Sequence, residues 1–359
     1  VYKRQGERVT LTSELLGEER TVFVSVPDGV GGDVRAPVLV LTDAETQFDH
    51  TRATVRFLAR NRLIPDLIVV GITNTDRTRD LTPSRAAMRN ADGELVELPT
   101  SGGADRFLDF IETELLPFIE AEYPALPYRI FAGHSFGGLL ATHAFVTRPE
   151  LFSAAISVSG PMLWDVRLVL REARTYFDDH DAAGRAMFVT VGDERDVMTD
   201  GFEELLDLLE SVDDDGFRFA SRVFPDDDHG SLVLRSHERG LRFIFDGYRV
   251  PFGRVMSEPR LLTEHFRDVS ERLGETFQPS ERMVQMLAQF SLQQDTTAAI
   301  AFGEMRVELY PESYRALVFL GDVWADKDDV EQARGYYEQA LEMSPGNDAI
   351  REKLDELGG

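Results

Sequence analysis

Residues 131–138, FAGHSFGG, place a serine two positions from a glycine on each side. Gly133, Ser135 and Gly137 thus form the pattern Gly-x-Ser-x-Gly. This pattern is typical of a serine held on a sharp turn between a strand and a helix, where its hydroxyl is exposed and can attack an acyl carbon. The same string also arises by chance in glycine-rich turns, so its setting in the chain has to decide.

The residues on either side of this pattern favour such a turn. Residues 128–132 are strand formers, and residues 139–145 favour a helix. A side chain at Gly133 or Gly137 would crowd the crossing of strand and helix. The amide of Phe136, at the start of that helix, would point to where an oxyanion develops. Ser135 is therefore a candidate nucleophile, and Phe136 is a candidate oxyanion donor.

A serine hydroxyl needs a base, and the base needs a carboxylate partner further along the chain. His229, in FPDDDHGSL, directly follows the last predicted strand and precedes a helix, which suits a catalytic histidine. The alternative for His229 is metal binding or a solvated loop, but three consecutive aspartates cannot all face one ion. The other histidines lie too early, beside the serine, or in polar and helix-like segments: His50, His134, His143, His180, His237 and His265.

The carboxylate is expected after the strand at residues 187–191, where the sequence reads VGDERD. Asp193, Glu194 and Asp196 are the candidates, and their positions alone do not choose among them. Each of the three carboxylates can instead be an ordinary solvated charge in a loop.

A second oxyanion donor is expected in the loop that follows the strand at residues 37–41, and Ala44 is the candidate there. Trp164 follows a later strand and either lines the substrate pocket or covers the core.

Two arginines in the loop NTDRTRDLTPS open onto the same edge of the predicted sheet. Arg77 and Arg79 could meet a substrate carboxylate or hydroxyl groups. The alternative is that each forms an ion pair with Asp76 or Asp80, and local spacing favours this alternative.

Strand-like and helix-like segments alternate up to Tyr248. The alternation predicts an α/β fold with a mostly parallel sheet, covered by helices on both faces. Residues 9–16 and 21–26 are predicted to form an initial hairpin, and residues 103–120 a helix that is kinked at Pro117. Ligand sites in such sheets form at the carboxyl ends of the strands, which is where Ser135 would lie.

The chain after Tyr248 is predicted to be entirely helical. A 34-residue repeat is visible there, and its second copy fits the tetratricopeptide repeat (TPR) pattern, whereas its first copy has Gly303 where an aromatic residue is usual. Two copies favour a brace or a homodimer contact over a groove for a protein partner. The predicted domains are a hydrolase domain at residues 1–250, a linker and helix at 251–278, and TPR-like repeats with a capping helix at 279–359.

The formal net charge of −26 excludes some partners. A chain with 64 acidic and 38 basic residues and no basic cluster is not expected to bind nucleic acid. Of the basic residues, only Lys3, Lys327 and Lys353 are lysines. This composition fits either adaptation to high salt or a GC-rich genome with an acidic protein surface.

The chain has no cysteine, which excludes disulfides, thiolate nucleophiles and cysteine-ligated metals. No cofactor or metal is expected. No segment is apolar enough to span a membrane, and the N-terminus lacks a signal-peptide pattern. The first residue is Val1, so a processed or truncated start stays open. We expect a soluble protein, either cytoplasmic or exported.

Five segments together resemble a known family, the α/β-hydrolase "putative esterases", which include enterochelin (siderophore) esterases and esterase D-like enzymes. The resemblance covers most of residues 20–250 and rests on VLVLTDAETQFDH, VVGITNTDRTRDLTP, GGADRFLDFIETELLPFIE, FAGHSFGG and FPDDDHGSL. It implies that Ser135 is the nucleophile and that His229 is the base.

The resemblance also bears on the acid and on the oxyanion donor. Related members often carry an Asn-Glu pair after the acid strand, which maps onto Asp193 and Glu194. It therefore implies Glu194, with Asp196 second and a Ser-His dyad as a further alternative. Family members often have Asp-Gly-Glu after the early strand, whereas this chain has Ala44 at the middle position.

The sequence thus predicts a serine carboxylesterase that works through an acyl-enzyme, with siderophore esters among its expected substrates. Two alternatives stay open. One is a hydrolase-fold interaction protein that binds a partner through its repeats and has a vestigial site. The other is an acyltransferase that passes the acyl group to an alcohol.

Overall fold

The computed structural model describes residues 6–31, 34–89, 94–194, 197–214 and 216–358. The chain divides into two compact units. One consists of Val1–Arg249 with Glu271–Glu275, and the other of Val250–Ser270 with Thr276–Gly359.

An eight-stranded sheet forms the centre of the first unit, in the order β1-β2-β4-β3-β7-β8-β9-β10. Strands β1 and β2 form the expected antiparallel hairpin and β2 pairs antiparallel with β4, whereas the remaining pairs are parallel. The predicted mostly parallel sheet is confirmed. The strands are β1 (Glu7–Ser13), β2 (Glu18–Ser25), β3 (Ala36–Leu41), β4 (Ile68–Ile72), β7 (Ala125–His134), β8 (Ala154–Val158), β9 (Ala186–Gly192) and β10 (Arg218–Phe224), while β5 (Ala87–Arg89) and β6 (Leu95–Glu97) pair separately.

Helices cover both faces of this sheet. Successive strand residues point to opposite sides, so each face carries apolar side chains that the helices bury. Ala155 belongs to a core cluster with residues of α5, α6 and α7, whereas its neighbour Ile156 lies against Gly240 of α8. The helices of this unit are α1 (Ala44–Arg60), α2 (Arg77–Leu81), α3 (Ala104–Phe110), α4 (Leu116–Glu122), α5 (Phe136–Thr147), α6 (Trp164–Asp179), α7 (Val197–Glu210) and α8 (Val233–Ile244).

The helix predicted at residues 103–120 differs from expectation. A π-helical turn at Ile111–Leu115 separates α3 from α4, and the Leu116 N–H donates to Ile111 O. Pro117 then stands in the first turn of α4, where a missing N–H costs nothing. The irregularity therefore precedes the proline.

The chain after Arg249 is helical throughout its described residues, as predicted. Its helices are α9 (Phe252–Ser257), α10 (Leu261–Leu273), α11 (Glu281–Ser291), α12 (Thr296–Leu309), α13 (Tyr314–Asp326), α14 (Val330–Met343) and α15 (Asp348–Glu356). Close packing between helices needs glycine twice. A Cβ at Gly321 would lie 2.4 Å from the Tyr337 ring, and one at Gly303 would lie 2.6 Å from Leu320. The TPR assignment and the domain bounds stay predictions.

Candidate active site

Ser135 stands on a sharp turn between the last residue of β7 and the first residue of α5. Its backbone angles, φ 59° and ψ −120°, are rare for a residue with a Cβ and cost roughly 1–3 kcal/mol. Its N–H donates to Val158 O at 2.8 Å, which holds the turn. A Cβ at Gly133 would lie 2.1 Å from Gly137 O, so only glycine fits there. The Ser135 side chain does not cap α5.

The two predicted oxyanion donors each begin a helix. Phe136 is the first residue of α5 and Ala44 the first residue of α1, so neither amide has a partner within its helix. The loop before Ala44 lies against the turn, because a Cβ at Gly137 would be 2.4 Å from Thr42 Oγ1. Both amides therefore occur at the same edge of the sheet.

Alanine at position 44 is accommodated because the preceding residue takes the unusual conformation. The backbone of Asp43, with φ 55° and ψ 39°, lies in the left-handed helical region. Ala44 is not among the described residues with positive φ. Aspartate tolerates this region better than most residues. Gly71 leaves room for the alanine, since a Cβ there would lie 2.9 Å from Ala44 Cβ.

His229 and Glu194 are joined by a hydrogen bond. His229 Nδ1 lies 2.6 Å from Glu194 Oε2, and the carboxylate accepts from the ring N–H. His229 is in the loop between β10 and α8, and Glu194 follows β9. The Asp193 N–H donates to Asp227 O at 2.7 Å, which ties the two loops together. The Glu194 side chain is 7% exposed and that of His229 44% exposed, so the imidazole faces outward from a buried carboxylate.

The second oxygen of Glu194 is also held. Ser159 Oγ donates to Oε1, and the Gly192 N–H donates to the same oxygen at 3.2 Å. Burial opposes ionisation of Glu194, but the hydrogen bonds from His229 and Ser159 outweigh it, and the pKa of this carboxyl lies below its ordinary value. Ser159 was not predicted, although it directly follows β8, and the rule that sites form at the strands' carboxyl ends could have found it.

His134 contacts His229 through its ring and through a hydrogen bond. The rings of these two histidines lie 4.6 Å apart between centroids, and His134 Nε2–H donates to His229 O at 2.5 Å. Burial and the neighbouring His229 lower the pKa of His134, so its ring is neutral at pH 7. Because His134 immediately precedes Ser135, this contact joins the loop of His229 to the turn that carries the serine. Asp196, the second candidate acid, lies outside the described residues.

The two arginines of α2 have different partners. Arg79 donates to Asp80 Oδ1 at 2.7 Å and to Glu18 Oε1 at 2.6 Å, so the ion-pair alternative holds for it. Arg77 pairs with Asp43 rather than with Asp76 or Asp80, at 2.6 Å between Nε and Oδ1.

Trp164 belongs to the core. It is 4% exposed, and its Nε1–H donates to Ser84 Oγ at 3.0 Å. Its ring also lies edge-on to that of Phe136, with centroids 5.4 Å apart, and so supports the residue beside Ser135.

Two features are missing from the described residues. There, no group of three or more histidine, aspartate or glutamate side chains is arranged to hold a metal ion. No helix in that part of the chain has the length and apolar character needed to cross a bilayer.

Comparisons with known proteins bear on the family and the fold of this chain. Residues 13–200 match the family described as "Putative esterase". The siderophore triacetylfusarinine C esterase of Aspergillus fumigatus is 32% identical over 216 residues, which cover 54% of this chain and 70% of that protein. The ferri-bacillibactin esterase BesA of Bacillus subtilis is 28% identical over 261 residues, 66% of this chain and 89% of that protein.

A solved structure extends the similarity along the chain. The IroE-like serine hydrolase from Shewanella oneidensis superposes with a TM-score of 0.76 at 29% identity, covering 85% of this chain and 99% of that one. The fold and the family expected from the sequence motifs are thereby confirmed. The chain belongs to the "Putative esterase" family and is an enterochelin esterase-like α/β-hydrolase.

Proposed function

We propose that this protein is a serine carboxyl-ester hydrolase in which Ser135, His229 and Glu194 form the catalytic triad. The observation that carries the proposal is the hydrogen bond from His229 to Glu194 beside the strained turn at Ser135. With Nδ1–H committed to the carboxylate, Nε2 is the ring nitrogen left to accept a proton.

In the first half of the reaction, His229 Nε2 takes the proton of the Ser135 hydroxyl as Oγ bonds to the ester carbonyl carbon. The carbonyl electron pair moves onto oxygen, where the amides of Phe136 and Ala44 stabilise the negative charge. When the carbonyl re-forms, the alkoxide leaves and takes the proton from the imidazolium. An acyl group is then bonded to Ser135.

In the second half, His229 takes a proton from water while the water oxygen attacks the acyl carbon. Collapse of this intermediate breaks the bond to Ser135 Oγ, which regains the proton, and releases a carboxylic acid. Glu194 keeps the ring in the required tautomer and stabilises the imidazolium in both halves.

The substrate we propose is an ester bond within a siderophore. The support comes from the names of the relatives, since one is a siderophore triacetylfusarinine C esterase and the other a ferri-bacillibactin esterase.

The test is ester hydrolysis by purified protein. We expect turnover of p-nitrophenyl esters and of a siderophore ester, with kcat falling by about 10⁴-fold or more in Ser135→Ala and His229→Ala. Ser211→Ala, after α7, is the matched serine control and should keep full activity. Product analysis with an added alcohol separates hydrolysis from acyl transfer. Failure of the wild type to hydrolyse any of these esters would contradict the proposal.

A further inference from the structure

Arg77 contacts two separate segments of the candidate site. Its Nε donates to Asp43 Oδ1 at 2.6 Å and its Nη2 to Asp43 Oδ2 at 3.1 Å, which makes a two-pronged ion pair. The same Nη2 donates to the backbone oxygen of His134 at 3.1 Å.

These two partners lie directly before the proposed catalytic backbone. Asp43 precedes Ala44, and His134 precedes Ser135 and Phe136. A single planar guanidinium therefore joins the segment that carries one oxyanion amide to the segment that carries the other. The Arg77 guanidinium carbon also lies 5.5 Å from the centre of the Phe136 ring.

Both segments contain a residue in an unfavourable backbone conformation, which surrounding contacts have to stabilise. Asp43 and Ser135 have positive φ angles of 55° and 59°, which residues with a Cβ seldom adopt. Asp43 is 7% exposed, and its carboxylate also accepts from Asn74 Nδ2 at 2.7 Å. The side chain of Asp43 is thus fixed in place, and its backbone with it.

The spacing of the two amides matters because an oxyanion hole acts through donors that are already in place. Removing one such donor typically costs about 10²–10³ in kcat. A fork of fixed geometry suits this task, and lysine, which is a single point charge on a flexible stem, cannot reproduce it.

We propose that Arg77 is a positioning residue that sets the distance between the Ala44 and Phe136 amides, acting through Asp43 and His134 O. The positive charge of Arg77 is paired with the carboxylate of Asp43, and Arg77 is not the binding site for an anionic substrate in this proposal. This inference rests on the proposed function, because it requires that the two amides form the oxyanion hole.

The first test uses a neutral substrate, p-nitrophenyl butyrate, with Arg77→Lys and Arg77→Met. We expect kcat to fall by about 10- to 100-fold while KM stays within about twofold, because the loss is confined to the transition state. The inhibition constant of a boronic acid, which places an oxygen at the oxyanion position on Ser135, should rise by a similar factor. Wild-type kcat in Arg77→Lys, or a change in KM alone, would overturn the inference.

Arg79→Lys and Arg79→Met are the matched controls. Arg79 lies on the same short helix and makes a comparable forked pair with Glu18, but its described contacts do not include the turn. We expect these variants to lower the unfolding temperature and to leave kcat per folded molecule unchanged. Equal losses of kcat at both positions would reduce Arg77 to a structural role and overturn the inference.

A double-mutant cycle separates action through Asp43 from direct contact with substrate. If Arg77 acts through Asp43, then Asp43→Asn and Arg77→Lys each lower kcat and the double variant is scarcely worse than either. Fully additive losses would contradict the inference. Ser135→Ala, measured in parallel, distinguishes failure of the inference about Arg77 from failure of the proposed function. If hydrolysis by the wild type does not depend on Ser135, the proposed function itself fails.

Discussion

Residues that adjoin the proposed catalytic groups hold them in place. His134 immediately precedes Ser135, and its Nε2–H donates to the backbone oxygen of His229. One side chain thereby connects the turn that carries the proposed nucleophile to the loop that carries the proposed base. This connection does not pass through Glu194.

The function of that connection can be tested by separating the ring from the donor. His134→Phe keeps an aromatic ring but loses the hydrogen bond, and we expect kcat for p-nitrophenyl butyrate to fall by about tenfold, the worth of one hydrogen bond. His134→Gln restores a donor and should recover part of the loss. If His134→Phe retains full activity, the hydrogen bond does not position His229.

The candidate site could be predicted in part from residue types and positions. Ser135 and His229 were placed after strands because strand ends can be read from apolar runs, whereas the choice of Glu194 over Asp193 and Asp196 came from the family resemblance. Ser159 also directly follows a strand, so the same rule would have placed it at this edge of the sheet, but its residue type does not indicate the left-handed backbone at φ 45° or the bond to Glu194. The partner of Arg77 was missed because local spacing favours Asp76 and Asp80 over the distant Asp43.

The glycines of the turn between β7 and α5 are required by close backbone approach. A Cβ at Gly133 would lie 2.1 Å from the backbone oxygen of Gly137, and this oxygen cannot move without displacing α5. In contrast, a Cβ at Gly335, inside α14, meets nothing within 4 Å.

This contrast predicts opposite effects of the same substitution. Gly133→Ala should destabilise the protein by about 3 kcal/mol or more, because backbone must shift. Gly335→Ala should stabilise it by up to about 1 kcal/mol, because alanine favours a helix. Urea unfolding of both variants measures these changes, and a Gly133→Ala variant as stable as the wild type would contradict the packing described for the turn.

His143 joins three helices, its own α5 and the neighbouring α6 and α3. Its Nδ1 lies 2.7 Å from Glu172 of α6 and its Nε2 lies 3.2 Å from Asp105 of α3, although the ring is 2% exposed. Burial disfavours the charged ring, but the two carboxylates outweigh it and raise the pKa of His143 to about 9.

Stability should therefore depend on pH through His143. The folded-state pKa of about 9 lies above the ordinary value of 6.5, so the contribution is fully present below about pH 6.5 and is lost as pH rises through 9. It amounts to at most about 3 kcal/mol. The difference in unfolding temperature between wild type and His143→Gln should be largest near pH 6 and should shrink by pH 10. A difference that does not change with pH would contradict the charged state of His143.

The strands and helices were more predictable than the irregular turns and close contacts within them. The parallel strands were predicted because Val, Ile, Leu and Ala runs must be buried on both faces of such a sheet. The π-helical turn at Ile111–Leu115 could not be predicted. Pro117 indicated a kink at its own position, whereas the irregular turn precedes it. In the C-terminal helices, Gly303 is explained by packing that the sequence does not reveal, since a Cβ there would lie 2.6 Å from Leu320.

At the scale of the whole molecule, charge is the dominant feature. The net charge of −26 sets up repulsion among carboxylates that opposes the compact state. We expect the unfolding temperature at pH 7 to rise between about 0.05 and 1 M NaCl, because screening weakens this repulsion. KCl at equal ionic strength should have the same effect. Indifference to salt would argue against adaptation to high salt.

Ser135 is proposed to be the nucleophile of an esterase, and a fluorophosphonate probe tests this role most directly. The probe phosphonylates an activated serine with loss of fluoride, and peptide mass spectrometry locates the adduct. We expect one adduct, on Ser135, that forms in step with the loss of esterase activity and is absent from Ser135→Ala. An unlabelled Ser135 in active wild-type protein, or an adduct on another residue that abolishes activity, would contradict the account.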